Sequence, residues 1–284
     1  MEQPRVFDRI ADDERLDAVG DALRRGVHAV LRPGVVKDLL HGVFLGHPLH
    51  PALVQVPIGC FASAAVLDIG GNSRDAARLI GLGVLSSVPA AAAGLADYAD
   101  SQQDHRRVGV VHAAANSAAL VCYVASLALR AKGRRRGGVL SAMAGLTFSM
   151  AGATLGGDLA FRRAVGANHS EHASRVGPAD WCDLGYVEQF AESKPTRRMA
   201  GDIPVLVVRR GEDFAVLHDQ CSHMSGPLSE GELTEVDGVD CVQCPWHGSV
   251  FRLDDGRPAH GPATAPQQRL DSRVRGSRLE VKMA

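Results

Sequence analysis

Two unlike halves in this 284-residue sequence predict a multidomain fold, an N-terminal all-α four-helix transmembrane bundle followed by a C-terminal all-β domain. Between residues 51 and 157, four runs contain no Asp, Glu, Lys or Arg. Each is about long enough to cross a bilayer as a helix, roughly 17 to 25 residues. From about residue 176 onward the pattern changes to short β-rich runs punctuated by turns. Two short cysteine–histidine motifs lie in that second half.

The length suits two domains. A formal net charge of −1 gives no pointer to nucleic acid. Of six cysteines, Cys221 and Cys244 sit in the motifs, Cys60 and Cys122 in apolar runs, and Cys182 and Cys241 elsewhere. That is no secreted disulfide framework, and the last four read as reduced thiols. The opening 25 residues are charged throughout, so no cleavable signal is expected.

Residues 12–31 have helical spacing with mixed charge and are expected in water or at a membrane surface, ending at Pro33-Gly34. The four apolar runs follow at 51–67, 79–96, 108–129 and 137–157, separated by charged clusters. A soluble bundle would need a charged face on each helix, and these have none. They are rich in Gly, Ala and Ser, as in residues 152–156, and small residues let helices approach closely in lipid. Residues 161–175 read as a polar connector. The expected division is an N-terminal segment at 1–45, a four-span domain at 46–165, a linker at 166–175 and the β domain at 176–284. Within the last, 203–209 and 214–217 frame a hairpin turn, and 279–282 forms a closing strand.

The motifs are Cys221-Ser222-His223 and Cys244-Pro245-Trp246-His247. Two cysteines and two histidines in this order suit a [2Fe-2S] cluster in which imidazoles replace two thiolates on one iron. Zinc accepts the same donors, but zinc fingers keep cysteines paired with cysteines and histidines with histidines. Here each arm carries one of each. The segments CSHMSGPLSEGEL and CPWHGSVFRLDDG resemble the two cluster-binding loops of the Rieske ferredoxin family. That resemblance implies that Cys221 and Cys244 bind one iron and His223 and His247 the other, for transfer of one electron. The gap between the arms is longer than usual, with residues 235–240 expected as an extra surface loop.

The resemblance also bears on potential. Where high-potential Rieske proteins carry a disulfide between the loops, this chain has Gly226 and Trp246, and where they have a tyrosine donor to a ligand sulfur it has Phe251. Ser249, the other typical donor, is present, and Pro262 resembles the proline loop that shields the cluster, although it also fits an ordinary turn. Losing a donor destabilises the reduced cluster, so the potential is expected in the lower part of the roughly −150 to +300 mV range. A terminal oxygenase needs a second iron in a large following domain. Only residues 248–284 follow His247, too few for one.

The apolar half has its own likeness. Residues 46–59, GHPLHPALVQVPIG, with 156–159, GGDL, are similar to an uncharacterised family of predicted bacterial membrane proteins with an HPLHP opening, over roughly residues 40 to 165. His47 and His50 precede the first span and His112 lies just inside the third. Alternating spans put all three on one membrane face with Asp97, Asp158 and the β domain. His112, Asn116, Ala119 and Tyr123 share one helical stripe. Ionisable groups at membrane depth are costly and usually functional, though interfacial histidines also cap helices or meet headgroups. Two histidines could ligate a b-type haem, whereas a quinone needs only one with Asp97 or Asp158, which makes quinone the less demanding reading.

Orientation is not fixed by charge. Arg32, Lys37, Arg106, Arg107, Arg162, Arg163 and Arg175 on one face equal in number Arg74, Arg78, Arg130, Lys132, Arg134, Arg135 and Arg136 on the other. Cluster assembly in the cytoplasm and the lack of an apolar stretch after Arg24-Arg25 favour a cytoplasmic β domain. The sequence therefore reads as a multi-pass protein of the bacterial inner membrane, relaying single electrons between redox donor and acceptor proteins or quinone at the lipid bilayer. Alternatives are a cluster-based redox sensor, or a membrane-tethered ferredoxin component of a separate oxygenase.

Overall fold

The computed structural model describes residues 5–284, so the first four residues of the charged opening lie outside it. The described chain divides into two units, residues 5–32 with 49–165, and residues 33–48 with 166–284.

The first unit is helical. It comprises α1 (Arg5–Ala11) and α2 (Asp17–Val30). The second unit contributes α3 (Val35–His41). Back in the first unit follow α4 (Leu49–Leu53), α5 (Gln55–Ile69), α6 (Ser73–Ala99), α7 (Gln103–Ala131) and α8 (Arg135–Gly157). Four helical stretches, Leu49–Ile69, Ser73–Ala99, Gln103–Ala131 and Arg135–Arg162, are long and apolar enough to cross a membrane. They contain the four charge-free runs.

Small residues set the packing between these helices. Phe61 and Tyr123 stack at 3.7 Å, and Gly83 and Gly145 lie against their rings so closely that a Cβ would sit 2.5 Å from Phe61 and 3.1 Å from Tyr123. The stripe on α7 faces glycines of α8 in order, Tyr123 against Gly145, Asn116 against Gly152 and His112 against Gly156. At the α5 end, Asp68 and Arg130 form a buried ion pair, with a second hydrogen bond of 2.8 Å between them. Such a pair survives burial because each charge is hydrogen-bonded by its partner. Helix α2 is fastened by Arg107 to Asp17 at 2.7 Å and by Tyr98 donating to the Gly20 carbonyl at 3.1 Å.

The second unit is mainly β, with a short α9 (Ala173–Val176). A six-stranded antiparallel sheet has the order β1 (Cys182–Tyr186), β10 (Arg278–Met283), β9 (Arg269–Arg275), β4 (Asp213–His218), β3 (Ile203–Arg210) and β2 (Thr196–Ala200). A four-stranded sheet runs β5 (Glu232–Val236), β6 (Val239–Gln243), β7 (Val250–Arg252) and β8 (Pro258–His260). The expected hairpin is β3–β4, turning between Arg210 and Asp213.

Both faces of β3 are covered, which explains its unbroken apolar run. Val205 and Val207 enter one core with Ala173, Phe190 and Leu279, whereas Leu206 and Val208 enter another with Cys221, Cys244 and Phe251. Alternation along a strand sends successive side chains to opposite faces, so this strand joins an outer core to the motif-bearing one.

Three expectations change. Residues 166–175 are no loose connector: Ala173 is fully buried in the outer core and the His169 N–H donates to the Ser222 carbonyl at 2.9 Å. Residues 33–48 group with the β unit rather than with an N-terminal segment. The 235–240 stretch is the tip of the β5–β6 hairpin, turning at Asp237 (φ 51°) and Gly238 (φ 77°). Positive φ at both central residues matches strand twist, which is why Asp-Gly closes hairpins.

Candidate iron-sulfur site

The two motifs fold into the same six-residue turn. In the first, the Cys221 N–H donates to Gly226 O at 2.8 Å and the Cys221 carbonyl accepts from Ser225 N at 2.8 Å. In the second, the Cys244 N–H donates to Ser249 O at 2.8 Å and the Cys244 carbonyl accepts from Gly248 N at 3.1 Å. Ser225 and Gly248, four residues after each cysteine, both have positive φ, 62° and 77°. The turn folds each loop back over its own cysteine.

That fold aims backbone donors at sulfur. Cys221 receives hydrogen bonds from the N–H groups of His223 and Met224, and Cys244 from those of Trp246 and His247. The two thiols also hydrogen-bond to one another. That contact and the backbone donors bring Cys244 down to about 7, against the opposing effect of burial. Cys221 is pushed up, first by the same contact and then by burial. One sulfur is thus poised as thiolate beside a second, both buried.

His223 and His247 meet with ring centroids 5.0 Å apart and planes at 85°. Trp246, half exposed, lies across Gly226, where an added Cβ would sit 3.1 Å from the indole and 2.9 Å from Cys244 Sγ. The two positions matching the disulfide of high-potential relatives therefore touch, with an indole in place of the bridge. Phe251 is fully buried in the same apolar cluster as Cys221 and Cys244.

A third loop completes the surroundings. The Ser249 hydroxyl accepts from Ala263 N at 2.9 Å, which leaves its own hydrogen to donate, and it holds the segment that includes Pro262. Gln267 is a residue that sequence reasoning missed. Buried, it accepts from Ser222 N at 3.0 Å and donates to the carbonyls of His218 and Gln220. Asp219, also buried, accepts from Ser229 N at 2.6 Å and Ser229 Oγ at 2.9 Å. No motif marks either residue: Gln267 meets only backbone groups, and Asp219 meets Ser229 and, at 3.3 Å, Arg197, partners that only the fold brings near.

Two thiols and two imidazoles, presented as pairs by twin loops with N–H donors on sulfur, fit the demands of a two-iron cluster. Among the described residues, no three His, Cys, Asp or Glu side chains are arranged around a single-ion site.

The other expected site residues divide. His50 and His112 come together, with ring centroids 6.3 Å apart. His47 belongs to the β-containing unit, where it is exposed and its Nδ1 lies 3.1 Å from Pro48 O. Asp158 pairs with Arg163 at 2.7 Å and Arg162 at 3.4 Å, so its charge is already matched.

Residues 180–274 match the Rieske [2Fe-2S] domain family, and residues 46–169 match a family described as predicted membrane protein (DUF2231). The anthranilate 1,2-dioxygenase ferredoxin subunit of Burkholderia cepacia is 36% identical over 105 residues, which span 94% of that protein and 37% of this chain. The chain belongs to the Rieske ferredoxin family. The ferredoxin component of biphenyl 2,3-dioxygenase from Rhodococcus jostii (strain RHA1) is 31% identical over 94 residues, 84% of its length and 33% of this chain. Among solved structures, the ferredoxin of carbazole 1,9a-dioxygenase from Nocardioides aromaticivorans IC177 is 24% identical with a TM-score of 0.34, covering 98% of that chain and 37% of this one. The Rieske domain here follows a helical region with four membrane-like spans, and it is a ferredoxin-type electron-transfer domain.

Proposed function

We propose that this chain relays single electrons at a bacterial inner membrane through a Rieske [2Fe-2S] cluster held by Cys221, His223, Cys244 and His247. When bound, the cluster supplies a one-electron couple. The observation that carries this reading is the pair of turns with matching hydrogen bonds, each closing on its cysteine and aiming two N–H groups at its sulfur. Those donors favour the more negative, reduced state. Phe251 adds no donor, and Gly226 with Trp246 form no bridge, so the potential lies in the lower Rieske range. Ser249 and the Pro262 loop limit water at the buried sulfurs, while His223, His247 and exposed Trp246 form the contact for a redox partner.

The four apolar helices anchor the relay, with the Rieske domain on the cytoplasmic side. The membrane-side partner is a quinone or a haem. A second reading concerns the other partner: the similar proteins named above are ferredoxin components of dioxygenases, so a separate oxygenase is a candidate acceptor. Reduction of the full-length protein in proteoliposomes tests the relay. Single-exponential reduction of the cluster by a quinol, or by a reductase followed by reoxidation by an oxygenase, supports it. A cluster that neither class of donor reduces at more than the detergent-free background rate contradicts it.

A further inference from the structure

We propose that the helical unit binds a b-type haem through His50 on α4 and His112 on α7, which names the membrane-side partner left open above and, for its redox role, rests on the relay reading. Both residues lie in one unit, and three independent features of their placement point to axial ligation.

The first is tautomer. His50 Nδ1 lies 2.8 Å from the Ala90 carbonyl, and His112 Nδ1 lies 2.8 Å from the Gly152 carbonyl. A carbonyl can only accept, so each Nδ1 carries the hydrogen and each Nε2 keeps its lone pair. Donation of the second ring N–H to a carbonyl is how metal-ligating imidazoles are oriented and made more basic. Asn116 does not consume the lone pair of His112. Its amide nitrogen is 3.3 Å from Nε2 and 3.5 Å from Nδ1 while donating to the His112 carbonyl at 2.9 Å, which places it over the ring face.

The second is spacing. An iron-bound imidazole nitrogen sits about 2 Å from the metal and the ring centre about 1 Å beyond, so two imidazoles on opposite sides of one iron have centroids about 6 Å apart. The His50–His112 separation is 6.3 Å, with planes at 80°. The two histidine pairs in the Rieske unit approach closer, to 5.0 and 5.3 Å.

The third is the cradle. A Cβ on Gly94 would lie 2.8 Å from His50 Nδ1, and one on Gly156 would lie 3.2 Å from His112 Cε1. Glycine on α6 and on α8 thus admits each ring to its carbonyl partner, an arrangement that plain helix capping does not require. Among the described residues, no third His, Cys, Asp or Glu joins the pair into a site for a bare ion. A macrocycle that brings four nitrogens of its own needs only these two. The quinone reading asked for Asp97 or Asp158 beside a histidine, and of these Asp158 is held by Arg163.

The test uses full-length protein purified in detergent from cells supplied with a haem precursor. Expected are a reduced-minus-oxidised b-type spectrum at close to one haem per chain and a strongly anisotropic low-spin ferric resonance, as near-perpendicular imidazole planes give. His50→Ala and His112→Ala should each lower haem content about tenfold or more while the Rieske resonance persists. His112→Met, which keeps a donor, should retain haem with altered axial spectra. Cys244→Ala should lose the Rieske signal and keep the haem, so the two readings fail separately. Wild-type protein with a Rieske signal but no haem, with or without copurified quinone, would overturn the proposal, as would haem retained when both histidines are replaced.

Discussion

Asp38 and His260 lie in hydrogen-bonding contact, Oδ2 to Nδ1 at 2.8 Å, and the other Asp38 oxygen accepts from Gly261 N at 2.8 Å. One carboxylate on α3 thereby holds the start of the loop that carries Pro262. Buried His41 and half-buried Val43 close over Gly261 from the same segment, 3.1 and 3.2 Å from where a Cβ would stand. Residues 33–48 are in this sense part of the Rieske unit, not merely a lead to the first span.

Replacing Asp38 with Ala should loosen that loop and orphan the Gly261 N–H, at a cost of about 1 to 3 kcal/mol. Removing a negative charge and admitting water both favour the reduced cluster, so the potential should rise. Voltammetry of full-length Asp38→Ala protein checks this; an unchanged potential would mean that the loop does not tune the site.

Phe251→Tyr should raise the potential by on the order of tens of millivolts, by adding a hydroxyl donor within the core shared with Cys221 and Cys244. A lowered value would show that the hydroxyl points away from sulfur.

His218 is fully buried, with Nδ1 2.8 Å from Ser170 Oγ and Nε2 unpartnered within the described residues. Burial, and then nearby His172, lower it from 6.5 to about 4. The unfolded chain thus binds the proton more readily, and stability present above about pH 6.5 is lost as pH falls toward 4, by about 3 kcal/mol. Denaturant titrations across that window should show the slope, and His218→Leu should flatten it.

The full chain should remain with membranes through high-salt and alkaline washes, because four apolar helices cannot leave lipid without exposing their surface. Release by either wash would revive a soluble bundle.

The sequence made the spans and the cysteine–histidine arms legible because charge-free runs and ligand spacing are local signals. The 235–240 segment carried a local signal too, Asp237-Gly238, yet its polarity read as a loop. Other features were not local. Asp38 finds His260 across more than two hundred residues, and Gln267 works through the backbone of the first loop, so only the folded arrangement reveals them. His50, just before the first span, and His112, just inside the third, stood out as histidines at one membrane face, but the Gly94 and Gly156 contacts that orient their rings depend on helix pairing. The absence of Asp, Glu, Lys and Arg from the runs likewise gave no hint that Asp68 and Arg130, just beyond them, join as a buried pair.

Metal, sulfide and paramagnetic analysis of the purified full-length protein and its Cys244→Ala variant tests the central claim most directly. The wild type should carry two irons and two acid-labile sulfides per chain at the Rieske site and, once reduced, show a rhombic resonance with an average g below the free-electron value. Cys244→Ala should lose that resonance and both sulfides, whereas Cys182→Ala and Cys241→Ala should keep them. One zinc per chain with no sulfide, or a resonance that survives Cys244→Ala, would contradict the assignment.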